Sequence, residues 1–236
     1  MADETPPGSP VAVGDATDPP TQGKRRRIHP LAELVLLVVI ALGLALGIQA
    51  FLVKPYQIPS GSMIPTLEIH QRVLVNRISH HLGSDPSVGD VVVFHPPRGA
   101  RPGDSGYVGE QQCAEADNIE KGAPCVGSVG GEWEDENYIK RVVGGPGDRI
   151  AVKDGRVIRN GEPTDEPFIS DSCRGQGAGS TCDLPNEITV PEGHYYMMGD
   201  NRGDSEDSRV WGAVPRDWVV GGAFATYWPP KRIGGL

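Results

Sequence analysis

Two serines, Ser60 and Ser62, stand two residues apart in Ile58-Pro59-Ser60-Gly61-Ser62-Met63-Ile64-Pro65-Thr66-Leu67, a segment stiffened by proline. Such a loop can aim a hydroxyl, although Ser and Gly between prolines also build ordinary turns. A serine nucleophile needs a partner base. Tyr138-Ile139-Lys140-Arg141-Val142-Val143 offers one, because period two places Tyr138, Lys140 and Val142 on one largely apolar strand face. A strand lysine commonly extends its ammonium to water. Turned inward, it is desolvated and favours its neutral form. At the ordinary value near 10.4, only about one lysine in 2,500 is neutral at pH 7. Depressing that value by ~3 units costs ~4 kcal/mol, within reach of a buried amine. A neutral Lys140 could take the Ser62 proton, the Ser-Lys variant of nucleophile and base.

A third segment, Met198 to Gly212, is dense in polar groups: Gly199-Asp200-Asn201-Arg202-Gly203-Asp204-Ser205-Glu206-Asp207-Ser208-Arg209. A calcium loop fails here because Arg202 occupies a position that requires an oxygen ligand. Arg202-Gly203-Asp204 reads as a chance adhesive tripeptide, and a plain solvated loop is the remaining bland reading. Gly103-Asp104-Ser105-Gly106 imitates the serine motif of chymotrypsin-like proteases but lies in a patternless stretch. Of the six histidines, His80 and His81 cannot face the same way on a strand, and none is needed.

These residues must be carried by strands. Residues 72–76, 91–95, 138–143, 187–190, 194–198 and 219–227 are short and rich in β-branched or aromatic side chains. In residues 149–161 two strands are punctuated by Asp154-Gly155 and Asn160-Gly161, pairs suited to the positive φ angles of tight hairpin turns. Residues 97–137 are rich in Gly and acidic side chains, with little pattern, and read as a variable insert or flap.

The N-terminal region has a different composition. Residues 1–23 carry five prolines and hardly any large apolar side chain, and are expected to be a disordered tail. Lys24-Arg25-Arg26-Arg27 follows, then Leu34 to Val53, twenty residues in which Gln49 is the one strongly polar side chain. Twenty helical residues cover ~30 Å, one bilayer core. A transmembrane helix over 31–54 is expected; a signal peptide's apolar part is usually shorter, and a buried core helix remains as the third reading. Four cations precede the span and Lys54 alone follows it directly, so residues 1–30 are expected in the cytoplasm and residues 55–236 outside. Nuclear import is a poor reading of these basic residues beside an apolar span.

Charge and cysteine usage agree with an exported body. The chain has 236 residues and a net charge of −9, carried entirely beyond residue 54, which argues against nucleic acid as a partner. Gly and Pro make up 54 residues, close to a quarter, and aromatics only 6%, so a helical bundle is disfavoured. Cys113, Cys125, Cys173 and Cys182 form two local pairs, suggesting Cys113–Cys125 and Cys173–Cys182 bridges in an oxidising compartment, with four free thiols as the alternative. No Cys-x-x-Cys occurs, and no metal or cofactor is expected.

Taken together, the three polar segments resemble the type I signal peptidases, membrane-anchored Ser-Lys endopeptidases that remove signal peptides from exported proteins. The resemblance rests on Ser62-Met63-x-Pro65-Thr66-Leu67, on Lys140-Arg141-Val142-x-Gly144-x-Pro146-Gly147-Asp148, and on Gly199-Asp200-Asn201-Arg202 with Ser205, Asp207-Ser208-Arg209 and Trp211-Gly212. It runs in order through most of residues 34–228. Asp204 stands where Asn is usual, and Gly145 where a larger apolar residue is usual.

The resemblance implies a mainly β fold, an antiparallel catalytic ectodomain behind one N-terminal transmembrane helix. It implies Ser62 as nucleophile, Lys140 as general base, and an oxyanion hole from the Ser60 hydroxyl and the Ser62 N–H. Ser205 would hydrogen-bond and orient the lysine, and Asp207 and Arg209 would form a supporting ion pair; Asp200 and Asn201 are treated as structural. Ile58, Met63, Tyr138 and Ile139 would wall shallow pockets for small residues at positions −1 and −3 of a signal peptide. The partners implied are exported preproteins, the lipid bilayer and proximity to the secretion translocon. Rival readings are a membrane-anchored, non-catalytic β binding module of the cell envelope and a self-cleaving repressor protease, the latter lacking any DNA-reading segment here.

Overall fold

The computed structural model describes residues 30–51, 53–78, 83–97, 100, 133, 135–173 and 182–236. The chain divides into two compact units, Met1–Leu42 and Gly43–Leu236. The boundary falls within helix α1, Pro30–Phe51. Over Pro30–Gly47 this helix is long and apolar enough to cross a membrane, and none of that window is buried in the protein. Leu34, Val35, Leu37, Val39 and Leu42 are all exposed, on every side of the helix, as suits a lipid-facing segment rather than an amphipathic surface helix. The helix stops short of the expected boundary. Val53 and Lys54 belong to strand β1, Val53–Gln57, which pairs with β2, Arg72–Asn76, instead of extending the span to residue 54.

The β body contains two sheets, and every ladder among the described residues is antiparallel. The larger also contains β3, Val91–Phe94; β4, Tyr138–Gly144; β9, His194–Met198; β10, Val214–Pro215; and β11, Val219–Trp228. Its order is β1-β2-β11-β3-β4-β9-β10, with β12, Gly234–Gly235, beside β11. The smaller sheet contains β5, Arg149–Lys153; β6, Arg156–Arg159; β7, Glu162–Pro163; and β8, Leu184–Thr189, in the order β7-β6-β5-β8.

Strand chemistry explains this arrangement. Ile150 and Val152 alternate with partly or fully exposed neighbours in β5 and pack with Val157, Leu184, Ile188, Val143, Tyr196 and Met198 in a core joining the sheets. All four residues of β3 are buried, as expected of an interior strand covered on both faces. The hairpin turns form where the Asx-Gly pairs put them: Asp154 and Gly155 have φ of 50° and 76°, Asn160 and Gly161 56° and 88°. The Cys173–Cys182 bridge is present, with the Cα atoms 5.6 Å apart. The expected Cys113–Cys125 bridge and the Gly103–Gly106 motif lie outside the described residues, as does the 1–23 tail. At the margins of the insert, Pro97 bridges Trp133, whose ring stacks on His95 with centroids 4.1 Å apart.

Candidate active site

Ser62 sits on a loop whose underside is fixed by burial. Ile58, Met63 and Leu67 are fully buried against Val73, Val75, Val91 and Val93, so the segment's apolar positions anchor it while Ser60 and Ser62 face outward and upward from the core. Hydrogen bonds from Ile58 N–H to Gln71 C=O (2.9 Å) and from His70 N–H to Ile58 C=O (2.8 Å) close the loop's base.

Lys140 approaches from β4, held between β3 and β9 with Val92 and Lys140 in register. Its side chain shares a face with Tyr138, the Nζ atom lying 5.9 Å from that ring's centroid. Nζ meets Ser62 Oγ at 2.6 Å. The lysine is only 4% exposed. Burial pushes its pKa down from 10.5 to about 8; Asp207 opposes that shift, Arg209 adds to it, and Glu206 and Asp200 oppose it more weakly. A group at about 8 is neutral in roughly one molecule in ten at pH 7, against about one in 2,500 for an unperturbed lysine.

Ser60 Oγ lies 3.4 Å from Ser62 Oγ. Among the described residues, the Ser62 backbone N–H has no acceptor, leaving it free to bind a developing negative charge beside the Ser60 hydroxyl. A cleft of about 550 Å³ opens over this pair, formed by the Pro59–Ser62 loop, the Glu136–Lys140 segment and the Gly203–Glu206 turn.

The Gly199–Arg209 turn bonds the serine loop and sets a buried charge pair near Lys140. Asp207 accepts hydrogen bonds from Gly199 N–H (3.0 Å), Ser205 Oγ (2.8 Å) and the guanidinium of Arg209 at both carboxylate oxygens (2.8 Å each). Burial alone would raise the Asp207 pKa, but Arg209, its hydrogen bonds and Lys140 outweigh burial and hold the carboxyl below the usual range. The Asp207–Arg209 pair is therefore as expected. Ser205 differs: its hydroxyl donates to Asp207 rather than pairing with Lys140. A buried ionised carboxylate is the stronger acceptor, so Ser205 bonds Asp207, whose charge acts on Lys140 without a direct bond among the described residues.

The substrate walls also need correction. Tyr138 and Ile139 line the cleft, whereas Ile58 and Met63 lie beneath it in the core, where their role is to seat the loop. Arg202 is fully buried, donating to Glu166 (2.6 and 3.1 Å), to Gly199 C=O (3.0 Å) and to Gly155 C=O, so no receptor could read the Arg-Gly-Asp tripeptide.

Three positioning residues escaped the sequence reading. Asn201 holds the serine loop at two successive carbonyls, its Nδ2 donating to Gly61 C=O (3.1 Å) and its backbone N–H to Ser62 C=O (3.0 Å). Thr66 donates to Asp200 at 2.5 Å, and Arg141 grips the same carboxylate with Nε (2.9 Å) and Nη2 (2.7 Å), tying loop, strand and turn together. Only the places of Thr66, Arg141, Asp200 and Asn201 inside the three motifs hinted at this. Glu166, the counterion of Arg202, carried no local signal.

Comparison with known proteins fits this geometry. The sequence pattern of the family described as "Signal peptidase, peptidase S26" matches residues 31–228, and the chain belongs to that family. Signal peptidase I of Leptolyngbya laminosa is 33% identical over 233 residues, spanning 99% of this chain and 92% of that protein. Signal peptidase I of Pseudomonas aeruginosa is 31% identical over 237 residues, covering 82% of this chain and 72% of its own. Signal peptidase IB of Staphylococcus aureus is 29% identical over 209 residues, covering 84% and 90%. The non-catalytic binding module is not favoured by these relationships.

Proposed function

We propose that the chain is a signal-peptide-removing endopeptidase working through a Ser62–Lys140 dyad. The observation that carries this reading is the 2.6 Å contact between a buried, pKa-depressed amine and the loop hydroxyl. Neutral Lys140 removes the Ser62 proton as Oγ attacks the carbonyl carbon of the residue at −1. The Ser62 N–H and the Ser60 hydroxyl bind the oxyanion; one such donor typically supplies about 2.7–4 kcal/mol. Collapse breaks the C–N bond, and the Lys140 ammonium returns the proton to the leaving amine, which becomes the N-terminus of the mature protein. Water, deprotonated in turn by Lys140, then hydrolyses the ester on Ser62 and frees the signal peptide.

Asp207, Arg209 and Ser205 support the lysine from behind, and Tyr138 and Ile139 border the pockets for small side chains. In this reading α1 spans the membrane, residues 1–30 are cytoplasmic and residues 55–236 form the extracytoplasmic catalytic domain. Ser62 follows Val53 by nine positions, so the nucleophile is tethered close to the bilayer from which preproteins emerge near the translocon. The test is incubation of the full chain in detergent with a preprotein bearing Ala at −1 and −3. Wild type should release the mature protein, and Ser62→Ala and Lys140→Met should not; normal processing by either variant refutes the dyad.

A further inference from the structure

Among the described residues, the lining of the cleft contains four charged side chains: Lys140, Glu136, Asp204 and Glu206. They do not balance from a substrate's point of view. Lys140 is buried and bonded to Ser62, while Asp204 and Glu206 are exposed. Among the described residues, neither the Asp204 nor the Glu206 carboxylate has a hydrogen-bond or ion-pair partner. The guanidiniums nearest them in sequence, Arg202 and Arg209, are fully buried and committed to Glu166 and Asp207. The Gly203–Glu206 turn therefore presents only anions to the cleft. Asp204 lies directly beside the serine loop, its Oδ2 3.9 Å from where a Cβ on Gly61 would stand. Glu206 is close enough for its charge to act on Lys140.

We propose that this rim is a charge filter, in which Asp204 and Glu206 favour preprotein segments carrying Lys or Arg next to the scissile bond and disfavour Asp or Glu there. The proposal rests on the peptidase reading and adds a second selectivity to the small-residue pockets. A polypeptide seated over Ser62 must run between the Glu136–Lys140 segment and the Gly203–Glu206 turn. Among the described residues, side chains not buried at −1 and −3 then pass a turn whose exposed charges are the Asp204 and Glu206 carboxylates. Partly desolvated contacts of this kind exceed the worth of open surface pairs and weaken with salt.

The test uses the full chain in detergent and a neutral peptide with Ala at −1 and −3, substituted singly with Lys or Glu at −4, −2, +1, +2 and +3. The readout is the ratio of kcat/KM for the Lys peptide to that for the Glu peptide within each enzyme, which cancels differences in active fraction. At the most sensitive position the ratio should reach about five- to tenfold at low ionic strength, fall toward one near 0.5 M salt, and drop to about twofold or less in Asp204→Asn/Glu206→Gln. Cleavage of the neutral parent with ratios near one throughout, or a ratio unchanged in the double variant, overturns the filter alone. Failure of the wild type to cleave the neutral parent overturns the peptidase reading and the filter with it.

Discussion

Lys140 Nζ and Ser62 Oγ lie 2.6 Å apart although 78 positions separate the two residues in sequence. Their contact depends on a strand held on both edges and a loop seated by three buried apolar side chains. Because burial pushes the lysine down to about 8, the neutral form that the proposed dyad requires accumulates as pH rises through that value. The kcat/KM for a neutral peptide substrate should therefore climb about tenfold per pH unit below roughly 7.5 and level off above about 8.5. A profile flat from pH 6 to 9 would remove Lys140 as the titrating base.

The same shift has a cost in stability. Lys140 has a lower pKa folded than unfolded, so the unfolded chain binds more protons between about 8 and 10.5. Stability contributed by this residue accordingly rises with pH across that window, and the penalty is fully present below about 8. Lys140→Met removes the penalty, worth up to about 3 kcal/mol at pH 6 from the 2.5-unit displacement. The variant should be inactive yet more resistant to urea than wild type at pH 6, with the difference shrinking toward pH 10. Urea titrations of the two proteins at both pH values check this.

Asn201 should behave as a positioning residue. Asn201→Ala removes the Nδ2 bond to Gly61 C=O and the bond that its Oδ1 accepts from Ser170 Oγ (2.9 Å), but keeps the backbone bond to Ser62 C=O. Loss of each such bond typically costs about 1 kcal/mol, and misplacement of Ser62 adds to it. A ten- to hundredfold fall in kcat with KM changed less than threefold is expected, whereas a purely structural role would show as a lower Tm with kcat per folded molecule intact.

Much of this was legible from residue types and spacing, for identifiable reasons. Strands β2 and β9 follow from their richness in β-branched or aromatic residues, and β5 and β6 from Asx-Gly pairs whose positive φ values are local properties. Strand β1 was hidden because Val53 ends an apolar run, Lys54 reads as that run's flanking charge and Pro55 argues against a strand; its ladder with β2 at the sheet's edge overrides these signals. In the site, Ser62 and Lys140 could be named because each has an unusual setting in its own segment. The partner of Ser205 could not. Whether its hydroxyl turns to Lys140 or Asp207 depends on the competition among buried acceptors, which only the assembled turn decides. Likewise, Met63 sits next to Ser62 in sequence yet points into the core, where Ile58, Leu67 and the β2 and β3 valines receive it.

The Cys173–Cys182 bridge reaches the site through Gly155. That glycine donates its N–H to Cys182 C=O (2.8 Å), and a Cβ on it would stand 2.8 Å from Cys173 Cβ; its own carbonyl accepts from Arg202. Closing a nine-residue separation stabilises a chain by about 2–3 kcal/mol on the loop-entropy estimate. The Cys173→Ser/Cys182→Ser variant should lose about that much in denaturant titration, and wild type in reductant should lose at least as much. Arg202 keeps Glu166 and Gly199 C=O, so activity per folded molecule should fall by less than tenfold.

Gly199 gives the sharpest steric test. A Cβ at this position would meet the Ser62 carbonyl oxygen and the Ser205 hydroxyl inside contact distance and stand 2.7 Å from Ser205 Cβ. The Ser62 carbonyl is itself clamped by Asn201, and Ser205 is held by Asp207, so neither neighbour can retreat without breaking a hydrogen bond. Overpacking of this kind costs about 1–3 kcal/mol. The least costly relief is a shift of the serine loop away from the turn, which lengthens the 2.6 Å contact with Lys140. Gly199→Ala should therefore lose more activity than stability: kcat down by a hundredfold or more, with Tm lowered by only a few degrees. A variant that unfolds outright, or one that cleaves at the wild-type rate, would show that the turn does not set the position of the nucleophile.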